Sequence, residues 1–198
     1  MEKISIITPC FNTEEYLSET FECLKAQTYS NWEWVVFDDC STDKSFEILT
    51  QFSKLDSRVL PYQNTKNSGA AITRNNCLDK ASGSYIAFLD CDDLWHKEKL
   101  KKQLAFMIKE NIEFNYHDYQ TVSATGDVLK EQIVPSIMTA KDLLKFNPFA
   151  TSSIMIKRDI IEENQIRFKE HLRRRQDYLF WYDVILRANK AISLSEIL

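Results

Sequence analysis

The segment Phe88-Leu89-Asp90-Cys91-Asp92-Asp93 ends an apolar run on three carboxylates within four residues. Two hard oxygen ligands at i and i+2, leaving a buried strand, suit Mg²⁺ or Mn²⁺ and leave other metal positions for phosphate oxygens and water. The same acids could instead cap the following helix, because carboxylates favour helix N-termini. A second acidic pair, Asp38-Asp39, follows the apolar run Trp32 to Phe37. A carboxylate there can accept a hydrogen bond from a base or ribose, or form an Asx-turn with Ser41 and Thr42. Thr8-Pro9-Cys10-Phe11-Asn12 follows the first apolar run. Arg74 comes after Asn67-Ser68-Gly69 and could meet a diphosphate or simply form a salt bridge.

These groups act together only if the fold gathers them. Lys3 to Thr8, Trp32 to Phe37, Val59 to Tyr62 and Ser84 to Leu89 are short β-branched or aromatic runs and read as strands. Between and after them, Thr13 to Gln27 (Thr13 as N-cap), Asp43 to Lys54, Gly69 to Ala81 and Lys97 to Lys109 read as helices. Strands alternating with helices imply right-handed crossovers and an α/β fold with a mainly parallel central sheet flanked by helices. In such a sheet ligands bind beyond the carboxyl ends of the strands. The acids then converge on one rim, where like charges repel unless a cation or a set of donors compensates.

After residue 110 the rhythm changes. Phe114 to Gln120 alternates like a half-exposed strand, Thr125-Gly126-Asp127 is a turn, and Val128 to Val134 is the return strand of a hairpin. A short helix is expected over Ala140 to Phe146, a strand over Ser152 to Ile156 and an amphipathic helix over Gln176 to Ala188. We expect one domain, with residues 1–110 and 111–198 as two functional halves. The closing apolar run, Ile192 to Leu198, points to a further C-terminal portion that would cover it.

Composition narrows the class. The 198 residues carry 25 Lys+Arg against 29 Asp+Glu, a net charge of −4, so nucleic acid is not the expected main partner. A chain of this length buries roughly 70% of its unfolded surface. No apolar run approaches the ~20 residues of a membrane span, and Met1-Glu2-Lys3 begins no signal peptide, so a cytoplasmic globular domain is expected. The five cysteines fit neither a disulfide framework nor a zinc pattern, and read as small apolar fillers. The three histidines lack ligand spacing, although His96 lies near Asp92. Trp95 is placed either to stack on a sugar or to fill the core, whereas Trp181 reads as helix packing.

Ile4 to Leu17 resembles the opening of the family 2 glycosyltransferases. Gln27 to Glu33, Val36 to Asp43, Asn67 to Asn75 and Tyr85 to Asp93 follow in that family's order and spacing. The last segment looks like its DxD motif, with Cys91 between the two acids. The resemblance implies the GT-A nucleotide-sugar-binding fold. It implies Thr8, Pro9 and Phe11 as a wall of the nucleotide pocket, with Phe11 where Tyr is usual. Glu14 would face the nucleotide, and Asp39, with Asp38 beside it, would read the base. Arg74 would lie near the diphosphate and Asp90 near the ribose and sugar. Asp92, with Asp90, would hold the Mn²⁺ or Mg²⁺ that bridges the phosphates.

The matching late stretch is Arg174-Arg175-Gln176-Asp177, which implies Asp177 as the base for the acceptor hydroxyl, with Gln176 where Glu is commoner. The implied reaction is inverting transfer of one sugar from a nucleoside diphosphate sugar, UDP by default, to a glycan or lipid-linked acceptor in surface polysaccharide synthesis. Arg173-Arg174-Arg175 could meet an anionic acceptor, the donor diphosphate or the inner face of the cell membrane, or form a solvated turn. Two rivals stand beside this reading. One is a Mg²⁺-dependent phosphatase of the haloacid dehalogenase type, which also ends a strand on DxD; the other is a non-catalytic sugar-nucleotide or partner-binding module.

Overall fold

The computed structural model describes residues 1–123, 125–172 and 174–198. Its first half lays down β1 (Ile4–Cys10), α1 (Leu17–Lys25), β2 (Trp32–Asp38), α2 (Ser45–Leu55), β3 (Val59–Gln63), α3 (Ala70–Lys80) and β4 (Tyr85–Phe88). The four strands are parallel and lie in the order β3-β2-β1-β4. The chain therefore winds outward from β1 to β3, then returns to place β4 on the other side of β1. That reversal is the topological switch point of an open α/β sheet, and it opens a crevice at the carboxyl ends of β1 and β4.

The period of two along each strand decides what faces where. Ile4, Ile6, Trp32, Trp34, Tyr85, Ala87 and Leu89 pack with α1, α2 and α4 (Lys99–Glu110) on one face. Ile7, Val35, Phe37, Ile86 and Phe88 pack with α3 and the later helices on the other. Both faces are buried, which is why these strands read as continuous apolar runs rather than alternating ones. Glu33 is a carboxylate buried within this sheet. It is buried between Lys3, Ser5 and Ser82, whose ammonium, hydroxyls and backbone N–H all donate to it.

The second half continues the same sheet with mixed pairing. After α4 come β5 (Phe114–Val122), β6 (Val128–Gln132), β7 (Ile137–Met138), α5 (Ala140–Leu143) and a 3-10 turn (Thr151–Ser153). Then follow β8 (Met155–Lys157), α6 (Arg158–Glu163), α7 (Gln176–Ala188) and β9 (Ala191–Ile197). Beyond β4 the order is β8-β5-β9-β7, with β6 hairpinned onto β5. Here only β5 and β9 run parallel; the β4–β8, β8–β5 and β9–β7 pairs are antiparallel.

Three local expectations need correction. The first helix begins at Leu17, not Thr13, because Thr13 N–H donates to Ser45 Oγ at 2.9 Å and so belongs to a loop tied to α2. Ser152 to Ile156 is not one strand but a 3-10 turn followed by β8. Phe114–Asp118 is buried on both faces, since the polar members of its alternation, Asn115 and His117, are covered rather than exposed to water. The α4 residues Lys99 and Gln103 are buried beside them, so two polar surfaces face each other inside the protein. The Ile192 to Leu198 run is mostly β9, which pairs in the sheet between β5 and β7.

Candidate functional site

At the switch point the strand alternation sorts the acidic motif. Cys91 continues the face of Leu89 and is buried, whereas Asp90 continues the face of Phe88 and meets α3. Arg74 of α3 is buried and its Nη2 donates to Asp90 Oδ1 at 2.7 Å. A guanidinium held at a strand end beside a carboxylate is suited to a diphosphate. Its other side lies over the Phe168 ring, 5.7 Å from the centroid. Asp92 is exposed, and among the described residues its side chain makes no hydrogen bond or ion pair. Asp93 instead accepts from Ser152 Oγ at 2.5 Å, and the same oxygen accepts from the Asp90 N–H at 3.1 Å. Desolvation raises the Asp93 pKa, and the charges of Asp90 and Asp92 push it further against the Ser152 bond. With Asp90, Asp92 and Asp93 set against the cation Arg74, the rim carries a net negative field.

That field bears on the metal. No group of three or more His, Cys, Asp or Glu side chains able to hold a metal ion exists among the described residues. The available protein ligands are the carboxylates of Asp90 and Asp92, hard oxygens that match a cation keeping most of its shell for water and phosphate. Cys91 is buried on the Leu89 face. Its hydrogen bond to Cys10 and its burial both push the thiol well above its ordinary pKa. The β1–β4 register, carried on from Ile7 opposite Phe88, sets Cys10 beside Cys91, and Cys91 Sγ lies 3.8 Å from the Pro9 carbonyl.

The turns after β1 and β2 are stapled together. Asn12 and Cys40 both adopt left-handed backbone, with φ of 51° and 59°. Such non-glycine strain persists where the surroundings enforce it. Asn12 Oδ1 accepts from Thr42 N–H at 2.8 Å, and Asn12 N–H donates to Ser41 Oγ at 2.9 Å. Thr8 points inward, its Oγ1 accepting from Trp34 Nε1 at 2.8 Å, while Pro9 is half-buried and Phe11 is exposed at the mouth. Glu14 lies at the start of α2, where its carboxylate accepts from Lys44 N–H at 2.8 Å.

Asp38 and Asp39 divide the work at the end of β2. Asp38 is fully buried; one oxygen accepts from Ser41 N–H and Gln63 Nε2, and Oδ1 has no partner among the described residues. Asp39 accepts from Asn64 Nδ2 at 2.7 Å, Ser68 N–H at 2.8 Å and Gly69 N–H at 2.7 Å. It clamps the 64–69 loop and thereby sets the start of α3, which carries Arg74. Gly69 reaches this geometry with φ +87°, a region that side chains disfavour. A hollow of about 490 Å³, lined in part by Gln63, Asn64 and Ser68, borders this loop.

Asp177 lies in the first turn of α7 and is half-exposed. One turn along, Phe180 stacks on Phe168 at 4.0 Å and meets Phe88 edge-on at 6.0 Å. Phe88 is two residues before Asp90, so the aromatic cluster brings the α7 start to the β4 side of the rim. Trp95 is buried with its Nε1 donating to the Ser152 carbonyl, a core role. Arg173 falls outside the described residues. Asn64, Gln63, Ser152 and Phe168 are site-positioning residues that sequence reading missed. Each is an isolated polar or apolar residue whose role comes only from tertiary contact.

A family profile described as "Glycosyl transferase family 2" matches residues 5–164. The chain belongs to glycosyl transferase family 2. It is 36% identical over 196 residues to TuaG of Bacillus subtilis (strain 168), described as a teichuronic acid biosynthesis glycosyltransferase, covering 98% of this chain and 77% of TuaG. It is 34% identical over 182 residues to WfgD of Escherichia coli, a UDP-Glc:α-D-GlcNAc-diphosphoundecaprenol β-1,3-glucosyltransferase, covering 92% and 69%. Among solved structures, S. aureus TarS 1-349 in complex with UDP-GlcNAc superposes with a TM-score of 0.83 at 27% identity, over 98% of this chain and 56% of that one. The chain spans only 35% of a longer TarS chain. Family membership and the GT-A fold set aside the phosphatase reading of the Asp90 to Asp93 segment. No helix among the described residues is long and apolar enough to cross a membrane.

Proposed function

We propose that this protein transfers one sugar from a nucleoside diphosphate sugar, UDP-linked by preference, to a hydroxyl of a glycan or lipid-linked acceptor in surface polysaccharide synthesis. The observation that carries this reading is the Arg74–Asp90 pair at the switch point with an unengaged Asp92 two residues beyond it. The WfgD name, with its UDP-glucose donor and diphosphoundecaprenol-linked acceptor, and the UDP-GlcNAc complex of TarS support the donor and acceptor classes.

In this reading the chain is a single domain whose residues 1–110 hold the donor and whose residues 111–198 shape the acceptor site. Thr8, Pro9, Phe11, Glu14, Asp38 and Asp39 form or support the nucleotide wall, and Arg74 faces the diphosphate. Asp90 and Asp92 would hold Mn²⁺ or Mg²⁺, which when bound neutralises charge on the diphosphate. Asp177 accepts the proton of the acceptor hydroxyl as its oxygen bonds to the anomeric carbon. The anomeric carbon–oxygen bond to the diphosphate breaks in the same displacement, and the nucleoside diphosphate leaves with the bonding pair. One base and no second nucleophile give inversion. Arg74, bonded to Asp90, holds that carboxylate in place while the leaving group gains charge.

Asp177→Asn tests the base. Removing a general base costs on the order of 10²–10⁴ in rate, so turnover should fall by that factor with nucleotide affinity unchanged. Full turnover in the variant contradicts the assignment.

A further inference from the structure

The start of α7 adjoins a surface that the proposed reaction leaves unused. Tyr178, in the first turn of α7, donates to the Leu143 carbonyl of α5 at 3.1 Å, so the two elements pack at this point. The chain leaving α5 exposes Leu144 at 64% and Phe146 at 51%, next to the buried Leu143. A leucine and a phenylalanine this exposed, side by side on one short turn, form a local apolar patch rather than scattered surface residues. Exposed cations lie on both packed elements, Lys141 and Lys145 at α5 and Arg174 and Arg175 just before α7. Lys145 makes a 3.4 Å pair with Asp142, while Lys141, Arg174 and Arg175 make no ion pair among the described residues. Asp142 is itself engaged in the capping box of α5 with Thr139. Arg175 takes a left-handed φ of 57° as the residue that opens α7. The surface combines protruding apolar side chains with an excess of positive charge, in a protein whose net charge is −4.

We infer that this α5–α7 junction docks on an anionic lipid bilayer, with Leu144 and Phe146 entering the headgroup–acyl boundary and the cations meeting lipid phosphates. Charge complementarity together with the apolar pair selects the occupant: an anionic leaflet offers phosphates to the cations and an acyl boundary to Leu144 and Phe146 in one surface. The inference rests on the proposed lipid-linked acceptor, because docking here sets Asp177 beside the membrane surface where such an acceptor presents its sugar. Leu144 and Phe146 are positioning residues in this account and touch no reacting atom.

The test uses the full chain and sedimentation with vesicles of 30% phosphatidylglycerol in phosphatidylcholine, against pure phosphatidylcholine. Two double variants, Leu144→Asp with Phe146→Asp and Arg174→Glu with Arg175→Glu, change exposed side chains. UDP binding by calorimetry reports on fold and donor site separately from the membrane. Each basic residue near an anionic surface contributes roughly fivefold in partitioning, so reversing two arginines should lower vesicle binding by at least about 25-fold. The expected result is binding to anionic but not neutral vesicles, lost in both variants with UDP affinity kept. Equal binding of wild type to neutral vesicles, or unchanged binding of either variant, overturns the inference. So does a wild-type dimer in light scattering that the apolar variant dissolves, which would assign the patch to a second copy. Loss of UDP binding in the wild type would strike the proposed function instead, and the vesicle result would stand apart from it.

Discussion

Asp39→Asn separates two roles for one carboxylate. The family resemblance makes Asp39 a reader of the base, yet the structure already commits it to Asn64 Nδ2, Ser68 N–H and Gly69 N–H, all within 2.8 Å. A carboxylate has about four acceptor positions, so at most one is left for a ligand. Asparagine keeps a single acceptor oxygen and turns an NH₂ toward donors, leaving at least one buried N–H unpaired. Hydrogen bonds to a charged group contribute about 1.5–3 kcal/mol each, so the clamp should lose roughly 3 kcal/mol. For a chain of this size that is a fall in Tm of about 6–12 °C. The assay is thermal unfolding of both proteins, paired with nucleotide titration. If nucleotide binding vanishes while Tm stays within about 2 °C, Asp39 is spent on the ligand and not on the loop, and the clamp reasoning fails.

Three further outcomes follow from the buried charges and the proposed base. For Glu33, burial raises the pKa, but Lys3, Ser5 and the Ser82 donors outweigh it and hold the carboxyl below its ordinary 4.5. Its stabilisation is therefore full above pH 4.5 and lost as pH falls through the lower folded value. Glu33→Gln should cost about 1–3 kcal/mol near neutral pH, measured by urea unfolding, with the difference closing in acid. His117 is held neutral by burial and by Lys99, its pKa lowered from 6.5 to about 3. The unfolded state binds the proton first, so stability falls below pH 6.5, by about 2 kcal/mol between pH 7 and 5 from linkage. His117→Gln should flatten that slope; parallel curves for variant and wild type refute it. Asp177→Asn should lose turnover but not nucleotide affinity, as argued above.

Much of the first half of the fold was legible because its signals are local. Apolar runs bounded by turn residues marked β1 to β4, and the polar residues past each run fell at the rim. What escaped was non-local. The alternation of Phe114 to Gln120 promised a wet face, but Asn115 and His117 are covered by α4, whose own Lys99 and Gln103 complete a buried polar layer. No periodicity reveals that a lysine will be buried over a Trp95 ring, 3.9 Å from its centroid. The short α6 and the two-residue β7 carry too little pattern to be read. Within the site, residue types pointed to carboxylate chemistry, while the division between Asp92, left exposed, and Asp93, tied to Ser152, required the loop geometry.

The central claim is that the rim of Arg74, Asp90 and Asp92 is a metal-assisted nucleoside diphosphate site. Calorimetric titration of UDP, with and without Mn²⁺, on wild type and Asp92→Ala tests it most directly. The account predicts binding in wild type that depends on Mn²⁺ and is lost in Asp92→Ala, with thermal unfolding of the variant unchanged because Asp92 is exposed. Equal UDP affinity in both proteins, indifferent to Mn²⁺, would contradict it.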